Sequence, residues 1–70
     1  MKDIQITLAA ARVNAGLTQE DVAKDLHVSK NTIVAWEKGT TQPTITQAKR
    51  LSALFAFPLD NIDFGNLNNV

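Results

Sequence analysis

Apolar side chains recur at helical spacing in three short stretches of the chain, and a run of strong helix formers, Ala9–Ala11, precedes them. Each of these four stretches lies between residues that favour helix ends. The first predicted helix follows Thr7, a residue type that caps helix N-termini, and ends at about Ala15, before Gly16. The second follows Thr18 and ends near Leu26. Helices this short are unstable alone, so each must be held by packing against the others.

The third and fourth predicted helices have equally clear boundaries. Ser29 caps the third helix, which ends at Gly39. Thr44 begins the fourth, which runs to about Phe55, and Gln47 completes the sequence pattern of a capping box. The fourth helix carries one apolar stripe at helical spacing, formed by Ile45, Ala48, Leu51, Leu54 and Phe55.

The chain after the fourth helix contains fewer structural signals. Pro58 follows that helix, and the sequence predicts one further turn over Leu59–Ile62. No stretch shows the alternation of apolar and polar residues that is typical of a strand. We therefore expect an all-α fold, a compact bundle of about five short helices in one domain over residues 1–70. The core is expected over about residues 7–62, and residues 63–70 form a tail that is either flexible or dimer-forming.

The composition excludes several classes of function. With 70 residues, the chain has room for one small domain and little room for a deep enzyme cleft. It has no cysteine, a single histidine at His27 and no Gly-rich phosphate loop, so we expect no enzyme, metal site, cofactor or small-molecule ligand. No apolar run approaches the roughly 20 residues that span a bilayer, so we expect a cytoplasmic protein with no membrane partner.

The charges cancel in sum but not along the chain. Seven basic and seven acidic residues give a net charge of zero, which does not by itself favour a nucleic-acid partner. Residues 28–50 nevertheless carry one acidic residue, Glu37, against four basic residues, which are Lys30, Lys38, Lys49 and Arg50. The middle of the chain is therefore locally basic, although charges also cluster in this way by chance.

The stretch Gln19–Lys38 has the features of two helices that cross closely at a short turn. Ala23 is small enough to let the second of these helices approach the first. His27 stands at the turn, where a residue with left-handed backbone angles is needed. Gly is usual there, but His is enriched among the other residues that adopt a positive φ. The pattern is typical of a helix-turn-helix.

The segment Thr18–Gly39, TQEDVAKDLHVSKNTIVAWEKG, resembles the lambda-repressor-like (Cro/XRE) family of helix-turn-helix DNA-binding proteins. ARVNAGLTQ before it and PTITQAKRLSALF after it extend the resemblance to about residues 7–62. The resemblance implies five short helices around one core, with the third helix in the major groove of DNA. It also implies a sequence-specific regulator of transcription that binds double-stranded DNA, of the phage- or mobile-element-type repressor class.

Residues on the outward side of the third helix are the candidates for contacts with bases. A helix that enters the groove N-terminus first presents its earliest residues to base edges. Lys30 can donate to guanine O6 and N7, and Asn31 can pair with adenine N6 and N7. Val34 and Ala35 suit contact with a thymine methyl group.

Six polar residues are candidates for contacts with the DNA backbone, which position a protein rather than specify its site. The resemblance implies that Gln19 hydrogen-bonds a phosphate and braces the third helix. Ser29 caps that helix and is a second candidate. The polar loop after the helix suits a flanking phosphate and contains Lys38, Thr40, Thr41 and Gln42. Each of these residues also has an ordinary interpretation, as part of a helix start or of a hydrophilic connection.

Four charged side chains receive structural interpretations. The resemblance implies a partly buried ion pair between Arg12 on the first helix and Glu37 on the third, which fixes the angle of the third helix. Lys49 and Arg50, on the fourth helix, are interpreted as part of a solvated face.

The candidate dimer surface lies near the C-terminal end and consists of Ile62, Phe64, Leu67 and Val70. Some of these side chains must cap the core, and the others form a patch for self-association. We expect a two-fold homodimer on a palindromic DNA operator, with half-sites about 34 Å apart.

The alternative is a protein-interaction adaptor, antirepressor or antitoxin-like, that keeps the same scaffold with little affinity for DNA. The net charge of zero favours this alternative, since few cations release few counterions from DNA. The presence of Gln19, Lys30, Asn31 and Lys38 on the candidate face favours DNA.

Overall fold

A computed structural model describes residues 5–64 of the chain as four α-helices with short elements at either end. In chain order the elements are β1 (Ile6–Thr7), α1 (Leu8–Asn14), α2 (Gln19–Leu26), α3 (Lys30–Lys38), α4 (Ile45–Phe55), a 3₁₀ turn (Leu59–Asn61) and β2 (Ile62–Asp63). The all-α prediction is confirmed, and the fifth helical segment is a single 3₁₀ turn rather than an α-helix.

All four α-helices begin where the sequence predicts, because each is preceded by a hydroxyl side chain that accepts a backbone hydrogen bond from the third helical residue. The caps are Thr7, Thr18, Ser29 and Thr44. At the start of α2 the hydrogen bonds are reciprocal. The Asp21 backbone N–H donates to Thr18 Oγ1 over 3.0 Å, and the Thr18 backbone N–H donates to Asp21 Oδ2 over 2.9 Å. Two orphan N–H groups are thereby satisfied at the start of α2.

The turn between α2 and α3 has the backbone geometry that the sequence predicts. His27 ends α2 in the left-handed region, at φ 60° and ψ 44°. Its neighbour Val28 donates its backbone N–H to the Ala23 carbonyl over 3.0 Å, which closes the end of α2. A second non-glycine residue, Ala56 at the end of α4, has φ 54°.

One hydrophobic core joins the helices. Its buried members come from all four α-helices and from β2, and they are Leu8, Ala11, Val22, Ala23, Ile33, Trp36, Leu51, Phe55 and Ile62. Ala23 is 6% exposed at the packing surface of α2, as expected for the small residue that lets α3 cross closely. The core therefore fixes α3 mainly against α2 and also against α1.

The described residues also contain a small parallel strand pair, β1 with β2, which the sequence does not predict. Ile6 pairs with Ile62, and Thr7 pairs with Asp63. Two residues per strand are too few to produce a visible alternation, so the pattern of apolar residues carries no signal for them. The pair holds the segment before α1 against the segment after the 3₁₀ turn.

The apolar stripe predicted for α4 is wrong at its first member. Ala48, Leu51 and Phe55 are buried, but Ile45 is 70% exposed. Ile45 is the first residue of α4, and helical side chains tilt toward the N-terminus of their helix. Its side chain therefore lies beyond the first turn and outside the core. None of the helices within residues 5–64 has the length and apolar character needed to cross a bilayer.

Candidate nucleic-acid interface

Helix α3 is anchored to the core along one side. Ile33 is 1% exposed and Trp36 is 4% exposed, and they lie three residues apart on the same face of the helix. Ser29 Oγ accepts a hydrogen bond from the Thr32 backbone N–H over 3.2 Å at the start of α3. Gly39 ends the helix at φ 80°, a value that favours glycine.

The residues predicted to contact bases lie on the part of α3 that is open to solvent. Lys30 and Asn31 are exposed in its first turn, while Val34 and Ala35, one turn further along, are half-buried. Lys38 is exposed in the last turn. The structure thus brings together, on one side of one helix, an ammonium group, a carboxamide and two small apolar side chains.

A charged network holds the last turn of α3. Arg12 Nε donates to Glu37 Oε2 over 2.6 Å, and Arg12 Nη1 donates to the Leu17 carbonyl over 2.8 Å. Gln19 Nε2 donates to the other carboxylate oxygen, Glu37 Oε1, over 2.9 Å. Glu37 is therefore bonded from both α1 and α2. Charge-assisted hydrogen bonds of this kind are strong when they are shielded from water.

The remaining residues predicted to contact the DNA backbone flank α3. Ser29 is exposed at its start, and Thr40, Thr41 and Gln42 are exposed in the loop after it. Thr40 donates its backbone N–H and its Oγ1 hydroxyl to the Ala35 carbonyl, over 3.0 and 3.2 Å. These bonds fix the start of that loop against the end of α3.

Glu20 is a polar residue of this surface that sequence reasoning missed. Its carboxylate Oε2 lies 3.1 Å from Lys30 Nζ, and both side chains are exposed. This hydrogen bond from Lys30 is the main cause that lowers the pKa of the Glu20 carboxyl below its usual value. Both residues stand in the first turns of their helices, but only the crossing of α2 and α3 brings them together. The sequence alone carries no signal for that distance.

A further ion pair joins α2 to α4 on the solvated face that was expected to contain Arg50, whose side chain is 59% exposed. Arg50 Nε donates to Asp25 Oδ2 over 2.9 Å, and Arg50 Nη2 donates to Asp25 Oδ1 over 3.1 Å. The bidentate contact lowers the pKa of Asp25 and raises that of Arg50. Lys49, the neighbouring residue, is exposed as expected.

The candidate dimer surface changes in composition. Ile62 is 4% exposed and belongs to the core, so it is not available to a partner. Its burial follows from its position in β2, beside β1 and over the core. Phe64 is half-buried and packs against the core. Leu67 and Val70 lie outside the described residues.

An open apolar groove lies beside Phe64. Its lining includes Phe64, Pro43, Leu59 and the exposed Ile45 at the start of α4. Pro43 and Ile45 follow closely on the loop after α3, so the groove adjoins the surface predicted to face DNA.

The sequence matches the helix-turn-helix family over residues 8–62. The cryptic phage CTXphi transcriptional repressor RstR of Vibrio cholerae is 34% identical over 59 residues, which are 84% of this chain and 53% of that protein. An uncharacterised HTH-type transcriptional regulator of Methanocaldococcus jannaschii is 44% identical over 46 residues, which are 66% of this chain and 70% of that protein. The HTH-type transcriptional activator BcrR of Enterococcus faecalis is 34% identical over 55 residues, which are 79% of this chain and 27% of that protein.

The chain spans about half the length of the Vibrio repressor and about a quarter of the Enterococcus activator. No solved structure gives a significant match to it. The family match covers all four α-helices, including α2, the left-handed turn and α3. The chain belongs to the Cro/XRE-type helix-turn-helix family of DNA-binding transcription regulators.

Proposed function

We propose that this chain is a sequence-specific regulator of transcription that binds double-stranded DNA by inserting residues 29–38 into the major groove. The observation that carries the proposal is the outward side of α3. It presents Lys30, Asn31 and Lys38 to solvent on a helix that is held by the core and by the Glu37 network. A rigid helix with exposed donors and acceptors is what direct reading of base edges requires.

Lys30 and Asn31 are the main readers in this proposal, because the first turn of the helix reaches deepest into the groove. Lys30 donates to guanine O6 and N7, and Asn31 pairs with adenine. Val34 and Ala35 retain enough exposed surface to contact a thymine methyl group. A good bidentate contact contributes about 1–3 kcal/mol of discrimination against the wrong base.

The contacts with the DNA backbone come from both ends of α3. The proposed residues are Gln19, Ser29, Lys38, Thr40, Thr41 and Gln42. Gln19 already braces α3 through Glu37, and it is the first residue of α2. The N-terminus of a helix attracts a phosphate through its unpaired N–H groups and its dipole. Contacts at both ends would set the depth and register of α3 in the groove.

We further propose that two copies bind a palindromic operator as a two-fold homodimer, with half-sites about 34 Å apart. The second copy would occupy the groove of Ile45 and Phe64, which adjoins the DNA-facing loop. A stable interface buries about 800 Å² per partner, which is nearly a fifth of the 4420 Å² of accessible surface here. A few apolar side chains cover much less than that, so the dimer is weak in solution and forms on DNA.

The likeness to the cryptic phage repressor, over 84% of this chain, supports a repressor of phage or mobile-element type. Such a protein acts in the cytoplasm of a bacterial host, associated with the nucleoid. Repression would follow from occupation of the operator, since a bound copy excludes other proteins from the same stretch of DNA.

The second candidate function is a protein-interaction adaptor of antirepressor or antitoxin type. The net charge of zero favours it, because non-specific attraction to DNA grows with the number of cations on the protein. A salt titration separates the two functions. A DNA regulator loses affinity steeply between low and moderate salt, while an adaptor causes no shift of any duplex at low salt.

The experiment that tests the proposal is selection of bound sequences from a library of random duplexes. We expect enrichment of one palindromic motif whose two halves lie one helical turn apart. Enrichment of a single half-site without its repeat would contradict the proposed homodimer but would support DNA recognition. A library that stays random after repeated rounds at low salt would overturn the proposed function.

A further inference from the structure

Glu20 and Lys30 form an ion pair at the edge of the surface proposed to face DNA. Glu20 Oε2 lies 3.1 Å from Lys30 Nζ, with 63% of the Glu20 side chain and 52% of the Lys30 side chain exposed. Exposed pairs of this kind contribute little to folding, because water screens the charges and long side chains lose entropy. A role in stability therefore gives no reason for the pair.

The pair belongs to a double contact between the start of α2 and the whole of α3. Gln19 hydrogen-bonds Glu37 in the last turn of α3, while the next residue, Glu20, bonds Lys30, its first residue. Lys30 and Glu37 are seven positions apart, or about 10 Å along a helix. Two successive side chains of α2 thus contact both ends of α3.

We propose that Glu20 is a positioning residue that sets the base specificity of Lys30, an inference that rests on the proposed function. An ammonium group has three N–H donors and no fixed orientation of its own. One donor directed at Glu20 leaves two for the duplex, which matches the two acceptors of guanine, O6 and N7.

Glu20 also acts against incorrect binding. Its carboxylate repels phosphate groups. It also offsets the positive charge of Lys30 at sites where no base accepts the two remaining N–H donors of Lys30. A lysine without this partner would bind phosphates indiscriminately, since backbone contacts carry no sequence information. Glu20 therefore lowers the affinity for non-specific DNA more than the affinity for the correct site.

The test compares Glu20→Gln with Asp60→Asn in the full chain. Both changes remove one negative charge, but Asp60 lies in the 3₁₀ turn rather than beside α3. Affinities are measured for the selected operator duplex and for a scrambled duplex of the same length, over a range of salt. We expect Glu20→Gln to lower the ratio of the two affinities about tenfold, mainly through tighter scrambled binding. The salt dependence should steepen by about one counterion, and Asp60→Asn should leave the ratio unchanged.

A Lys30→Ala background distinguishes positioning from a general charge effect. If Glu20 acts through Lys30, Glu20→Gln no longer changes the preference at the contacted base pair once Lys30 is absent. The inference is overturned if Glu20→Gln changes the preference equally in the wild-type and Lys30→Ala backgrounds. It is also overturned if Glu20→Gln leaves the ratio of operator affinity to scrambled affinity unchanged. Neither outcome contradicts DNA recognition. A wild-type chain that prefers no duplex overturns the proposed function itself, and the inference with it.

Discussion

Arg12 on α1 and Glu37 on α3 are joined by a hydrogen bond of 2.6 Å from Nε to Oε2, with their side chains only 15% and 9% exposed. The same guanidinium donates to the Leu17 carbonyl, and the same carboxylate accepts from Gln19. The two charged groups therefore bond each other, and each has one more partner: the loop between α1 and α2 for Arg12, and α2 for Glu37. We therefore expect the angle of α3 to depend on this network as well as on the core.

Arg12→Ala should destabilise the fold strongly. Removal of one partner leaves the Glu37 carboxylate desolvated without its cation, which costs about 3–5 kcal/mol for a buried pair. Urea unfolding followed by circular dichroism measures the change, with an expected shift of the midpoint and an unchanged slope. Arg50→Ala is the matched control, because its partner Asp25 remains in contact with water and the effect should be much smaller. Equal midpoints for Arg12→Ala and wild type would contradict the structural role.

The double variant Lys30→Ala, Asn31→Ala should lose discrimination between the selected operator and a scrambled duplex. Both side chains are exposed and neither belongs to the core, so the melting temperature should stay close to that of wild type. Loss of two base contacts at about 1–3 kcal/mol each predicts at least a tenfold fall in the affinity ratio. Fluorescence anisotropy with the two duplexes measures it.

Lys49→Ala is the control for the loss of positive charge, since Lys49 lies on α4 and is exposed. It should weaken binding to both duplexes slightly and equally, if at all. Discrimination that survives the double variant unchanged would show that α3 does not read the bases.

The helix boundaries were predictable from the sequence. Contacts between helices were predictable only where the family resemblance implied them, as for Arg12 with Glu37. Thr18 with Asp21 and Thr44 with Gln47 form local capping boxes, so residues three positions apart carry the whole signal. The pairs of Glu20 with Lys30 and of Asp25 with Arg50 depend on how the helices cross. Nothing in the spacing of these residues fixes that crossing.

Burial at element ends was equally hard to predict. Ile45 and Ile62 are the same residue type, and each is the first residue of its element, yet one is 70% exposed and the other 4%. Periodicity describes the middle of a helix, where neighbours on both sides define the buried face. At the first residue of an element, burial depends on the path of the preceding chain, which is a property of the tertiary structure.

Ile45→Lys should weaken cooperative binding to the palindromic operator. The side chain is exposed beside Phe64 in the groove proposed for the second copy, and two lysines facing each other across a two-fold axis repel. Binding to a single half-site should be unchanged or slightly tighter. Sedimentation of the protein with a full operator and with a half-site duplex measures both effects. An unaltered two-to-one complex with the variant would exclude this groove as the dimer surface.

Stability should fall in acid, with a contribution from Asp25. The bidentate bond from Arg50 holds the pKa of this carboxyl below its ordinary value of 3.8, and nearby His27 adds to the effect. A depressed pKa stabilises the folded chain above the ordinary value, and this contribution is lost as the pH falls through the folded pKa. The melting temperature should therefore decrease below about pH 4. Asp25→Asn should reduce the difference in melting temperature between pH 7 and pH 3. A difference equal to that of wild type would contradict the contribution of Asp25 to the pH dependence.

His27→Gly should stabilise the protein, because His27 holds a left-handed conformation at φ 60° that costs an L-residue about 1 kcal/mol. Part of the gain is offset by the greater entropy of an unfolded glycine, so we expect a net increase of about 0.5 kcal/mol in the free energy of unfolding. Ala53→Gly in α4 is the control of opposite sign, since glycine inside a helix costs about 1 kcal/mol relative to alanine. Urea unfolding of the two variants should move the midpoints in opposite directions. A destabilised His27→Gly variant would mean that the imidazole makes a contribution larger than the backbone strain, and the turn would then depend on the side chain rather than on the φ angle alone.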